Sequence, residues 1–136
     1  MNLQPVVDHL KAHAAFRQLG GAADLAAIED APVHDPAAFV VPLGEQLDED
    51  SEDFDGGFGR RVLFGVLVAV SNRRDPRGGA AQDALAAARA SVAGALATLV
   101  PSGAQTPPRW LRGSLVKFAQ GQVWWMDEFE ISLTVS

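Results

Sequence analysis

The chain has 136 residues, no cysteine, and eleven Lys+Arg against seventeen Asp+Glu, for a formal net charge of −6. That length supports one domain around a single core. The composition excludes disulfides, thiolate metal sites and cysteine nucleophiles, and its sign is wrong for a general nucleic-acid binder.

No apolar run approaches the roughly 20 residues that span a bilayer. The opening MNLQPVVDHLKAHAAF has no basic leader ahead of a continuous apolar segment, so no secretory signal and no membrane association are expected. The lack of cysteine fits folding inside a cell.

Residues 3–14 read as a short amphipathic helix, with Leu3, Val6, Val7, Leu10 and Ala14 on one stripe and Pro5 in the first turn. Residues 16–19 fit a short strand ended by Gly20 and Gly21, and residues 22–28 a second short helix with Asp24 inside it and no clean cap. Residues 37–43 form an apolar run interrupted by Pro42, which favours an edge or a strand end. Residues 44–59 are acidic and glycine-rich and are expected to form a long flexible loop.

Residues 60–70, RRVLFGVLVAV, are apolar on both faces and predict a central strand covered on both sides. SNRRDPRGG is a turn by its Asn, Asp-Pro and Gly-Gly content. The longest helix is expected over residues 80–100, with Leu85, Ala88, Val92, Leu96 and Leu99 on its stripe and Pro101 as the stop. After a linker, residues 110–118 and 122–135 predict a hairpin turning at Gln120-Gly121. The second strand alternates, with Val123, Trp125, Asp127, Phe129, Ile131, Leu133 and Val135 on one face. Gln122, Trp124, Met126, Glu128, Glu130, Ser132 and Thr134 take the other. This order predicts an α+β fold, a mostly antiparallel sheet packed with one long and one or two short helices.

Few residues suggest chemistry. His9 and His13 have metal-ligand spacing, but HLKAH lacks the glutamate of a zinc-protease helix, and both are expected to face solvent. His34-Asp35, between two prolines, reads as a loop turn rather than half of a general-base pair. Gly56-Gly57-Phe58-Gly59 precedes a strand and lacks the lysine of a phosphate loop. Asp127, Glu128 and Glu130 read as an acidic strand face, as interface carboxylates, or as catalytic or hard-metal ligands. An inward Asp127 needs a cation, for which Arg60, Arg61 and Arg112 are candidates.

Trp124 and Met126 stand out as large apolar residues on the polar face of their strand, and suggest an interface. Asp48, Glu49, Asp50, Glu52, Asp53 and Asp55 form an acidic run. It is read as a solvated loop, as a segment that orders on a basic partner, or as a channel lining that repels DNA. Arg73, Arg74 and Arg77 are solvated or dock an acidic neighbour, such as this run in a second copy.

AFVVPLGE (38–45), VLVAVSNRRDPRGGAA (66–81) and LVKFAQGQVWWMDEFEISL (115–133), in this order, resemble tail terminator proteins of tailed bacteriophages and prophages. The resemblance implies a single tail-terminator-like domain over 1–136. It implies a structural, non-enzymatic virion protein that closes into a ring, typically a hexamer. The ring would cap the tail tube, stop its polymerisation and meet the head-completion protein at the tail-head junction, with assembly in the host bacterial cytoplasm. Its partners would be further copies of itself, the tail tube protein and the head-completion protein, with DNA only passing through the lumen and no cofactor. The acidic run has no counterpart in the resemblance. Another neck or connector protein is one rival reading. A small-molecule-binding α+β domain with His34, or Asp127 and Glu128, in a pocket is the other.

Overall fold

The computed structural model describes residues 1–28, 31–52, 58–72 and 79–134, with the backbone alone at 48–52 and 58. Pro5 lies in the first turn of α1 (Gln4–His13), where its missing N–H costs no helical bond, and Val6, Val7 and Leu10 are buried beneath. β1 (Gln18–Gly21) follows, then α2 (Ala22–Ile28). The two glycines do not end β1 but lie within it. A Cβ on Gly20 would come within 2.5 Å of Asp24 Oδ2, so that close approach needs glycine. Asp24, which looked like a residue without a capping role, accepts the Gly21 N–H at 2.8 Å and satisfies a donor at the start of α2.

β2 (Ala37–Glu52) and β3 (Phe58–Ser71) pair antiparallel from Ala37↔Ala69 to Glu52↔Phe58. The expected loop over 44–59 is therefore corrected: 44–52 and 58–59 are strand. A ladder is held by backbone groups, so an acidic sequence can form it when a neighbouring strand supplies the partners. Pro42 sits at a bulge between Pro42 and Gly44. β1 pairs with β2 only from Ala37 to Val40, which leaves the outer edge of β2 open where Pro42 lies.

α3 (Gly79–Leu96) buries Ala81, Ala88, Val92, Ala95 and Leu96 and ends four residues before the expected boundary. Two groups claim its last carbonyls. Thr98 Oγ1 donates to Ala95 O at 2.8 Å, and the His9 ring nitrogen lies 2.8 Å from the same oxygen. Pro101 also disfavours helical backbone at Val100. β4 (Arg109–Ala119) and β5 (Gln122–Thr134) form the expected hairpin. Its turn residues Gln120 and Gly121 both have positive φ, 55° and 70°, as a two-residue type I′ turn requires.

The sheet order is β1-β2-β3-β5-β4, antiparallel except for β1-β2. α1 and α3 cover one face over a core of Val40, Phe64, Val66, Phe129 and Ile131. α2 packs on the other face over β1 and β2, where Leu25 and Ile28 join a cluster that contains Phe39, Leu67 and Trp124. The protein is α+β, and β3 is its doubly buried strand from Phe64 to Val70.

Candidate functional site

Asp127 lies on the α3 side of β5 and is 4% exposed. Arg89 of α3 donates from Nε to Oδ2 at 2.9 Å and from Nη2 to Oδ1 at 3.0 Å. The indole N–H groups of Trp110 and Trp125 donate to Oδ1 at 3.0 and 3.1 Å. The Arg89 guanidinium also lies 4.7 Å from the Trp125 ring centre. A buried carboxylate needs such partners to stay ionised. With two oxygens engaged by four donors, Asp127 fixes side chains in place and is poorly set up to move protons. The cation is Arg89, not Arg60, Arg61 or Arg112. It is the only cation in α3, and that was the signal available in the sequence.

Glu128 and Glu130 point to the opposite face. Glu130, 9% exposed, accepts from Arg109 Nη2 at 3.2 Å. Glu128 pairs with Arg112, whose pKa is raised by that hydrogen bond and the adjacent charge. Both are cross-strand pairs between β4 and β5, so the three carboxylates do not converge on one centre.

Trp124 is buried within the subunit. It is 5% exposed, stacks on Phe39 at 6.3 Å between ring centres, and carries Lys117 5.0 Å above its ring. It belongs to a buried cluster with Val33, Ala37, Phe39, Leu67 and Ala69, and its Nε1 has no acceptor among the described residues. Met126 is half-buried in the same cluster, with its sulfur lying where a Gly65 Cβ would stand. Alternation placed both residues on the correct face, but the stacking of Trp124 on Phe39 of β2 is set by sheet packing, which the pattern of one strand does not show.

His9 is half-buried and lies within hydrogen-bond distance of Ala95 O and Thr98 Oγ1, tying α1 to the end of α3, while His13 is exposed. His34 lies in a turn, where its N–H donates to Gln18 Oε1 at 2.9 Å and Asp35 Oδ2 accepts from Ser71 N–H at 3.2 Å. A cleft of about 220 Å³ beside His34 is also lined by Asp35, Ser71 and Gln122. Asp127 and Glu128 are not part of it. Arg73, Arg74, Arg77, Asp53 and Asp55 fall outside the described residues. Asp48, Glu49, Asp50 and Glu52 lie on the backbone of β2.

The outstanding surface is β4, which the sequence reading passed over. Trp110, Leu111, Leu115, Val116 and Phe118 are 37–64% exposed. Contiguous exposed apolar surface of this kind marks an interaction site. Register shifts between Trp110 and Arg112 and between Leu115 and Lys117 make Leu111 and Val116 the extra residues of two bulges. Trp110, Gly113, Leu115 and Phe118 consequently pair with Phe129, Asp127, Trp125 and Val123, all on the α3 face. Their spacing of three, two and three matches neither a strand nor a helix, which hid the stripe.

α3 packs on β3 and β5 but, among the described residues, does not reach over β4. It leaves an open groove of about 370 Å³ lined by Arg89, Ala90, Ala93, Trp110, Asp127 and Phe129. The Asp127 network fixes the floor of this groove and holds Trp110 at its rim. Gly113 makes the network possible, because a Cβ there would lie 2.5 Å from Asp127 Oδ1 and 2.8 Å from Trp125 Nε1.

The model of the family described as phage tail terminator protein matches residues 1–136. A solved structure titled as the virion of a native gene transfer agent particle contains a chain of similar fold. The two align over 96% of this chain and 85% of that one, at a TM-score of 0.50 and 19% identity. Among curated proteins, none matches the chain.

Proposed function

We propose, from the premise that the chain belongs to the phage tail terminator protein family, that it is a structural virion subunit that closes into a ring, typically of six copies. The ring caps the tail tube at the tail-head junction, ends tube polymerisation and offers the head-completion protein its docking surface. DNA passes through the lumen, and no step requires a catalytic residue.

The observation that supports this most directly is the β4 surface. An edge strand with five exposed large apolar side chains, backed by a half-buried ion pair, is suited to burial against another protein. A ring further needs two different complementary patches on each subunit.

The test is solution mass by light scattering across protein concentration, with negative-stain images of the same sample and of mixtures with purified tail tubes. Rings, or stain-filled caps on tube ends with an arrest of tube growth, are expected. A protein that stays monomeric and leaves tube length unchanged would overturn the reading.

A further inference from the structure

We infer that the acidic hairpin made by the distal halves of β2 and β3 docks along β4 of the neighbouring copy, and that this is the head-to-tail contact between subunits. The inference rests on the ring reading above and names its interface.

The sheet has two edges that are not alike. β4 forms one edge along its whole length. On the other side β1 pairs with β2 only to Val40, and among the described residues no strand pairs with the outer edge of 41–52. Polarity alternates from β2 through β3 and β5 to β4, so β2 and β4 run antiparallel. A second copy set beside the first in the same orientation therefore brings its β4 antiparallel to the open part of β2. Two different edges meeting in this way give a heterologous contact, the kind from which rings are built.

Charge is divided between the same two edges. Residues 41–52 of β2 carry five acidic residues and no Lys or Arg, whereas β4 carries Arg109, Arg112 and Lys117 and no carboxylate. Glu45 is already paired with Arg60 and with the N-terminal ammonium, which holds its carboxyl below the ordinary carboxylate range. Arg109 and Arg112 keep 70% and 75% of their side chains exposed despite their pairs with Glu130 and Glu128. They retain donors for a second carboxylate. Apolar groups accompany the charges: Leu43 and Leu47 are 44% and 59% exposed on the acidic arm, opposite the exposed apolar side chains of β4.

Register sets the offset. Arg109 pairs with Glu130, Glu130 with Leu63 and Leu63 with Gly44, so β4 begins level with the start of the open segment and runs the other way. Contact therefore requires each copy to be shifted along the strand direction relative to the last. The bulges at Leu111 and Val116 interrupt any long backbone ladder, which leaves side chains to carry the contact.

The cysteine-free chain allows a direct test. Gln46→Cys and Ser114→Cys, both at exposed positions, are prepared separately and then mixed under conditions where scattering shows assembly. A flexible bis-maleimide is then added. Covalent dimers are expected from the mixture and not from either variant alone, and a covalent ladder from the doubly substituted chain. The yield should fall several-fold when salt is raised before the cross-linker. Equal dimer yield from Ser114→Cys alone would show β4 meeting β4 and overturn the inference. So would assembled rings with no mixed product, an outcome that leaves the ring reading standing. A protein monomeric in solution and on tail tubes removes both.

Discussion

Arg89 and Asp127, 38 residues apart in the chain, meet in a two-pronged ion pair that joins α3 to β5. Through the shared Oδ1, the same carboxylate also holds Trp110 on the edge strand. Asp127→Ala removes the acceptor from one guanidinium and two indole N–H groups. Arg89 is about a third exposed and water can take up part of its lost pairing, so the loss is expected to be about 1–3 kcal/mol. Asp127→Asn keeps one acceptor oxygen and is expected to cost about 1–2 kcal/mol. Urea denaturation followed by tryptophan emission checks both values, and a shift under 0.5 kcal/mol for the alanine variant would contradict the role given to the network.

Trp124 gives the opposite prediction from the one its sequence position invites. Because it is buried and stacked on Phe39, Trp124→Ala is expected to destabilise the isolated subunit by about 3–5 kcal/mol. Loss of assembly would then follow from loss of fold. Trp124→Phe should cost much less, because the buried indole N–H has no acceptor to lose. Thermal melts at a concentration where the protein is monomeric separate the two effects.

Two glycines are expected to respond in opposite directions. Gly113→Ala drives a methyl group into Asp127 and Trp125, and should cost about 1–3 kcal/mol by displacing the carboxylate from its donors. Gly94 lies on exposed helix with open space around its Cβ position. Gly94→Ala should therefore raise stability by about 0.5–1 kcal/mol. Paired denaturation curves decide both, and a destabilised Gly94→Ala would point to an unrecognised constraint on α3.

Phe118 is the most exposed large apolar side chain of β4, at 64%. Phe118→Ser should change subunit stability by less than about 0.5 kcal/mol, as exposed substitutions do. If β4 is an assembly surface, it should also lower the mass measured by light scattering and weaken capping of tail tubes. Unchanged assembly with an unchanged melt would direct attention to another face.

Much of this architecture is legible from periodicity. The α1 stripe, the doubly buried β3, the α3 stripe and the β4–β5 hairpin each follow from where apolar side chains recur. What escaped the sequence has particular causes. The acidic half of β2 is strand because β3 supplies its backbone partners, and nothing in EQLDEDSE announces a partner. Arg89 is the cation of Asp127 because α3 crosses β5, a relation set by packing. The Trp110–Leu115–Phe118 stripe is hidden by two bulges, each of which inserts one residue and resets the count. Trp124 was placed on the correct face but assigned an external cover, since its stacking on Phe39 depends on how β2 lies in the sheet.

β5 follows every other element in chain order yet lies between β3 and β4. A nascent chain that has not yet extended past Gln122 has no ladder to join these two strands, no carboxylate for Arg89 and no strand on which β4 can be held. The ladder that joins β3 to β4 can therefore form only once β5 has been synthesised, so the Arg89 pair and the ordered edge strand come late in the order of synthesis.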